Sequence, residues 1–144
     1  MISNERQYQI TQKQLEQFKS ALNELKGNPI SVDDLNQHIR YQAHLDTVDS
    51  QIESLEEEIS EYEKLKSGET KKLKFDSFAQ LSEALIKARI VRGLTQEQLA
   101  DRLGLKAQQV QRYEATNYVA ASLGKISQVI KALDIEIKEE VIFK

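Results

Sequence analysis

The residue types that usually perform catalysis or hold metals are sparse in this 144-residue sequence. It contains no cysteine, which excludes a thiol nucleophile, a disulfide and a thiolate metal site. The two histidines, His38 and His44, are six positions apart, so on a helix they point to different sides. The run Glu56-Glu57-Glu58 is typical of a solvated helix face, and no glycine-rich phosphate loop is present. We therefore expect that the protein is not an enzyme and that it has no cofactor and no metal site.

The remaining candidates for chemistry are amide and guanidinium side chains, which are concentrated where the chain is basic. Residues 71–131 carry 11 Lys and Arg against 5 Asp and Glu. Residues 1–70 carry 7 Lys and Arg against 14 Asp and Glu, and residues 132–144 carry 2 Lys and Arg against 4 Asp and Glu. A basic block suits a surface that binds phosphate. The N-terminus is polar and no apolar run is long enough to span a bilayer, so we expect a cytoplasmic protein without a membrane partner.

Helix start and stop signals divide the basic block into four helices. An apolar stripe at helical spacing follows each start. Gly93 and Gly104 end the first two helices, because a glycine accepts the left-handed backbone found there. A third helix is predicted over about 107–114. The starts of the other three are predicted by capping residues: Ser77 with Gln80, Thr95 with Gln98, and Ser122.

The segment from Gln96 to Tyr113 has the spacing of a helix-turn-helix. Ala100 is the small residue where two helices would cross closely, and Gly104 lies in the turn. The sequence Arg-Gly-Leu-Thr-Gln-Glu-Gln-Leu-Ala at 92–100, followed by Gly104, Val110, Tyr113 and Glu114, resembles the lambda-repressor/Cro-type (xenobiotic-response-element) helix-turn-helix family. The resemblance covers residues 76–133.

The resemblance implies that double-stranded DNA is a partner. In such proteins the second helix of the pair lies in the major groove, with its N-terminal residues at the base edges. Ala107, Gln108 and Arg112 match the family's base-contact positions, and Gln111 lies on the same outward face. Glutamine suits adenine, arginine suits guanine, and alanine can contact the methyl group of thymine. These four residues are the implied base contacts.

Phosphate contacts are expected around the same helices. The start of the first helix of the pair favours an anion, and Arg89 and Arg92 are expected to add positive potential nearby. Glu114 is expected to pair with an arginine of the first two helices. The implied phosphate contacts are Thr95, Gln96, Lys106, Gln109, Thr116 and Asn117.

The loop after the second helix departs from the family pattern. Thr116 stands where family members often have glycine. Asn117 is expected to supply the left-handed turn residue instead. This departure puts the loop geometry, and the phosphate contacts of Thr116 and Asn117, in question.

The acidic half predicts a helical hairpin with coiled-coil character, joined through a linker at 66–72. The first helix starts either near Asn4 or at Thr11, and the second starts near Ser31–Asp34, after a turn at Lys26–Pro29. Residues 32–66 would form a rod of about 50 Å. The apolar stripe of this rod has either a dimerisation or scaffold role, or it is a docking surface for a different protein. The two stripes are Tyr8, Thr11, Leu15, Phe18, Leu22 and Leu25, and His38, Tyr41, Leu45, Val48, Ile52, Leu55, Ile59 and Tyr62.

The C-terminal residues alternate between apolar and polar side chains. Ile135–Lys138 and Val141–Phe143 are β-prone, and a single strand is not stable alone. The segment therefore either pairs with its copy in a second chain, as in some lambda-repressor-like antitoxins, or has no fixed structure. A homodimer would fit a two-fold operator.

These observations predict an all-α protein. Residues 1–70 form an acidic helical hairpin or coiled-coil arm, and residues 71–144 form a lambda-repressor-like DNA-binding domain of four to five helices with a short C-terminal β-strand. The resemblance implies a sequence-specific transcriptional regulator, a repressor that binds an inverted-repeat operator as a dimer. The alternative is an antitoxin that represses its own operon and neutralises a toxin through the arm. A third alternative is an architectural or purely protein-binding module.

Overall fold

Six α-helices make up most of the protein in a computed structural model that describes residues 1–28 and 34–144. Within those ranges there is no β-strand, so the expected all-α class is confirmed and the expected C-terminal strand is not formed in the single chain. The chain divides into two compact units, residues 1–63 and 64–144, which are described separately. No helix of the described ranges is long and apolar enough to cross a membrane.

The first unit begins with helix α1, Glu5–Gly27, and contains most of helix α2, Leu35–Lys66. Asn4 caps α1 by accepting a hydrogen bond from the backbone N–H of Gln7. The earlier of the two predicted starts is therefore the real one, and the Thr11 hydroxyl donates to the Gln7 carbonyl inside the helix. Asp34 caps α2, because its carboxylate accepts a hydrogen bond from the backbone N–H of Asn36. The other residues of the predicted turn and helix start, Pro29, Ser31 and Asp33, lie outside the described residues.

The two helices of this unit form an antiparallel hairpin. Tyr8 of α1 stacks on Tyr62 near the end of α2 at a ring-centroid distance of 5.1 Å, and its hydroxyl donates to Glu63. Toward the other end, the Tyr41 hydroxyl donates to the Leu25 carbonyl. The predicted stripes are the buried or half-buried faces of both helices, with Val48 and Ile52 at the centre. His38 is exposed, so the stripe of α2 starts at Tyr41.

The second unit holds the short 3₁₀ turn Phe78–Gln80 and four helices: α3 (Leu81–Val91), α4 (Gln96–Leu103), α5 (Ala107–Ala115) and α6 (Leu123–Ala132). Its core is apolar and tightly enclosed, because Leu85, Leu99, Val110 and Val129 are each at most 1 % exposed. Burying an aliphatic side chain of this size contributes about 1.5–3 kcal/mol to folding.

The helix boundaries of this unit follow local signals in the sequence. Thr95 and Gln98 form the predicted capping box, and Ser122 caps α6 by accepting from the N–H of Lys125. Ser77 is the N-cap residue of the 3₁₀ turn, as predicted, but the predicted capping box is not formed. The Ser77 side chain makes no capping hydrogen bond, and the Gln80 side chain accepts from the N–H of Asp76. This arrangement starts α3 with a 3₁₀ turn rather than a regular first turn.

Candidate nucleic-acid interface

Helices α4 and α5 pack against each other through small and aliphatic side chains. Ala100 is 1 % exposed, and Leu99 and Val110 are equally enclosed. Gly104 ends α4 in the left-handed region at φ 66°, and the N–H of Leu105 returns to the Ala100 carbonyl at 2.9 Å. This tight turn sets the direction of α5, as the helix-turn-helix spacing predicted.

The outward face of α5 carries three of the four side chains expected at base edges. Gln108, Gln111 and Arg112 are exposed, whereas Ala107 is half-buried. Val110 points into the core, so the three long polar side chains share the opposite face, since residues three and four apart on a helix are neighbours. The face combines amide groups, which both donate and accept, with a guanidinium that only donates.

The start of α5 holds the candidate phosphate contacts Lys106 and Gln109. The Gln109 side-chain carbonyl accepts the Lys106 N–H at 3.0 Å, so its NH₂ group is the end that faces away from the backbone. No side chain caps the N–H groups of the first turn of α5. Lys106 is exposed and no carboxylate of the described residues pairs with it. Donors and positive charge therefore meet at this end of the helix.

The start of α4 holds two further candidates. The Thr95 hydroxyl accepts from the N–H of Gln98, which leaves its own proton for an external acceptor. The Gln96 side chain is half-buried, and its Nε2 donates to Oε2 of Glu114 at 2.7 Å. One hydrogen of that amide is thus committed within the protein, and the amide is held in a fixed orientation.

A buried ion pair fixes α5 relative to α3. Arg89 Nε and Nη2 donate to the two carboxylate oxygens of Glu114 at 2.6 and 2.8 Å, and the side chains are only 3 % and 2 % exposed. Arg89 Nη1 also donates to the Leu94 carbonyl. The predicted pairing of Glu114 with an arginine is confirmed, and Gln96 joins the same cluster.

The expectation that Arg89 adds positive potential at the surface is wrong. Arg89 is buried and neutralised, so it adds no net charge at the surface. Arg92 binds the carbonyls of Leu133 and Asp134 at the end of α6 and lies 3.8 Å from the Asp134 carboxylate. Lys106 and Arg112 are exposed at the start and on the outward face of α5, and Arg92 is exposed as well, with its side chain 46 % accessible.

The loop after α5 takes an unusual backbone course. Asn117 has the predicted left-handed backbone at φ 50°, and Tyr118 follows it at φ 56°. Tyr118 is 4 % exposed and stacks on Tyr113 at 5.8 Å. Burial, together with the nearby charge of Glu114, raises the pKa of Tyr118 well above its usual value. Nothing in the sequence pattern indicated a second left-handed residue, because tyrosine rarely takes that conformation.

The two candidate phosphate contacts of this loop differ in what they offer. The Thr116 hydroxyl donates its proton to the Arg112 carbonyl at 2.9 Å, so it has no proton left for a phosphate. Asn117 is exposed, and its side-chain amide is a donor at the surface. In residues 1–28 and 34–144, no group of three or more His, Asp or Glu side chains forms a cluster that could hold a metal ion.

These features define a helix-turn-helix module. Two short helices cross at Ala100, a left-handed glycine lies between them, and the second helix has an exposed polar face. Comparison with known families agrees: residues 85–139 match the family model described as Helix-turn-helix. The family that this model describes is the lambda-repressor/Cro type of helix-turn-helix. The match supports a DNA-binding transcriptional regulator. No curated protein and no solved structure gave a match.

Proposed function

We propose that the protein is a sequence-specific repressor that binds an inverted-repeat operator in double-stranded DNA as a homodimer. One observation carries this proposal: the exposed face of α5 presents Gln108, Gln111 and Arg112 together, on a helix whose orientation is fixed by the buried Arg89–Glu114 pair. A rigid helix is a more precise platform for reading bases than a loop, since small shifts of the donors weaken hydrogen bonds steeply.

The side chains of α5 have distinct expected roles. Arg112 can donate two hydrogen bonds to O6 and N7 of guanine, and Gln108 can pair with N6 and N7 of adenine. Gln111 lies between them along the same face, and Ala107 is near enough to the surface to contact a thymine methyl group. Together they would read the bases of one half-site.

The expected phosphate contacts flank that face. Thr95 and Gln96 lie at the start of α4, Lys106 and Gln109 at the start of α5, and Asn117 in the following loop. The hydrogen bond that Thr116 donates to Arg112 argues against a donating role for its hydroxyl, so we assign Thr116 to the loop's internal support. These contacts fix the register of the domain on DNA but carry no sequence information.

Selection of random duplex DNA by the purified full-length protein tests the proposal. We expect an inverted repeat whose half-site centres are about 10 base pairs apart, one helical turn. Arg112→Ala should relax one position in each half-site by roughly 1–3 kcal/mol. No enriched sequence, together with weak binding at physiological salt, would refute the regulator and favour the arm as a protein-binding module.

A second candidate function is an antitoxin, and the charge of α2 favours it. Residues 41–63 contain eight carboxylates and no Lys or Arg. Asp49, Glu53 and Glu57 are exposed four residues apart, and form one acidic stripe. A stripe of this kind complements a basic protein such as a ribonuclease toxin.

The antitoxin alternative has its own test. If a neighbouring gene encodes a small basic protein, Asp49→Asn combined with Glu53→Gln and Glu57→Gln should weaken its capture while leaving operator binding intact. Unchanged capture by this variant would reject the acidic stripe as the toxin-binding surface, and no capture by the natural protein would leave the plain repressor as the function. The matched control is Glu97→Gln in α4, which removes an exposed carboxylate outside the arm.

A further inference from the structure

The segment after α6 leaves the domain in a defined direction and pairs with no strand of the described residues. Asp134 is left-handed at φ 53°, Arg92 binds the carbonyls of Leu133 and Asp134, and the Ile135 N–H returns to Ile130. Residues 136–144 then make no backbone hydrogen bond within the described chain and contain no helix or turn. Their N–H and C=O groups therefore resemble the open edge of a sheet.

The side chains of this segment sort into two faces if it is extended. The odd-numbered positions are Ile135, Ile137, Glu139, Val141 and Phe143. Ile135 and Ile137 are half-buried against the domain, whereas Val141 is 83 % and Phe143 is 91 % exposed. The apolar face thus begins on the domain and continues into solvent, where large apolar side chains in a row usually mark an interaction surface.

We propose that residues 135–143 pair antiparallel with the same residues of a second copy, in the register that places Glu139 opposite Glu139 of that copy. This proposal rests on the proposed dimer and assigns both the segment and the register. In that register Ile135 faces Phe143 and Ile137 faces Val141, so the four apolar residues of one face meet apolar partners. On the other face, Lys138 opposes Glu140 twice, once on each side of the two-fold axis.

Neighbouring registers lose this match. Centring the pair on residue 138 places Lys138 opposite Lys138 and Glu136 opposite Glu140, which are like charges. Centring it on residue 140 places Val141 opposite Glu139. Parallel pairing in register places every charge opposite itself. Directly opposed like charges destabilise a strand pair, so complementarity of charge and apolarity selects the 139-centred antiparallel ribbon. Its unfavourable contacts are the opposed Glu139 carboxylates and Glu136 opposite Ile142 on each side of the axis.

Because the natural sequence has no cysteine, single cysteine variants report the register directly. Directly opposed residues have Cα atoms about 4.5–5.5 Å apart, within disulfide range, whereas diagonal neighbours lie about 7–8 Å apart. Under mild oxidation Glu139→Cys should form a covalent dimer rapidly, and Lys138→Cys and Glu140→Cys, on the same exposed strand, should not. Equal cross-linking of all three variants, or none for Glu139→Cys, would overturn the proposed register.

A charge exchange tests the same pairing without a new covalent bond. Lys138→Glu and Glu140→Lys should each raise the dimer dissociation constant roughly tenfold, since each places two like-charge pairs across the axis. The double variant should recover the natural value, as measured by sedimentation equilibrium. Glu139→Gln should tighten the dimer. Additive weakening in the double variant contradicts the proposal.

The same variants separate this inference from the proposed function. Binding of the selected inverted repeat by a dimer that neither cross-links at Glu139 nor responds to the charge exchange would reject the ribbon and leave the regulator intact. Failure of the natural protein to select any DNA, with efficient cross-linking at Glu139, would reject the regulator and leave the ribbon.

Discussion

Arg89 and Glu114 are joined by two parallel hydrogen bonds in the interior of the helix-turn-helix domain, which ties the last part of α3 to the last turn of α5. Gln96 adds the first residue of α4 to the same carboxylate. The three helices that define the recognition geometry therefore share one buried polar cluster, and no buried side-chain nitrogen or oxygen of the described residues is left without a hydrogen bond.

Removing the charge of Glu114 should destabilise the domain severely. In Glu114→Gln the buried Arg89 guanidinium loses its counter-charge, which costs about 3–5 kcal/mol in comparable pairs. We expect urea denaturation to show this loss of folding free energy, and the amide hydrogen of Val110 in α5 to exchange faster. The matched control is Glu83→Gln, whose carboxylate pairs with Lys87 at the surface and should contribute less than about 1 kcal/mol. Similar small losses for both variants would show that the buried pair does not hold α5.

Much of this domain could be predicted from sequence because its signals are local. Capping residues and apolar stripes at helical spacing predicted α4, α5 and α6, and the left-handed Gly104 and Asn117 were predicted from the residue types that tolerate positive φ. The outward face of α5 followed from the positions of Val110 and Tyr113. These features depend on neighbours within four residues.

Some errors arose where distant residues decide the outcome. Arg89 looks like a surface cation in the sequence, but it is buried against Glu114, which lies 25 positions away. Charge alone does not reveal which arginine is buried. The capping box at Ser77 was a local error, since the Gln80 side chain accepts from the Asp76 N–H. The tail forms no strand within one chain, since a strand needs a partner that the chain itself does not supply.

Gly104 should be required for its backbone conformation rather than for space. Its φ is 66°, and a Cβ added there would meet no atom within 4 Å. Gly104→Ala should therefore destabilise the domain by about 1–2 kcal/mol through backbone strain alone. Gly124→Ala is the control, since this residue lies in α6 without positive φ and alanine favours helix by about 0.5–1 kcal/mol. In thermal unfolding we expect Gly104→Ala to lower the stability of the domain and Gly124→Ala to raise it. An unchanged stability of Gly104→Ala would disprove the backbone strain.

Tyr118 should make the domain sensitive to alkali. Its pKa is raised chiefly by burial, so the folded state holds the neutral phenol while the unfolded chain ionises near pH 10. A raised folded-state pKa means that this contribution is complete below about pH 10 and is lost as the pH rises further. Tyr118→Phe should lose less stability than the natural protein between about pH 9 and 11 in urea denaturation. Tyr113→Phe, which alters the ring stacked against Tyr118, should retain the natural alkaline loss, and identical pH profiles for all three proteins would contradict the assignment.

Lys106 and Arg112 should have separable effects on operator binding, because one is expected to contact phosphate and the other a base. Lys106→Ala should weaken binding to all sequences alike and reduce the slope of log affinity against log salt by about 0.9, the value for one lost phosphate contact. Arg112→Ala should instead relax one base position by roughly 1–3 kcal/mol. Lys131→Ala removes the same charge at the end of α6, where Arg92 and Arg102 bind the terminal carbonyls, and should leave both the slope and the base preference unchanged.

Titration of each protein variant separates the effects, when it is done at two salt concentrations on the selected operator and on an operator with one changed base. A base-specific loss for Lys106→Ala would exchange the two assignments, and an equal slope change for Lys131→Ala would mean that the charge acts through the general field of the domain.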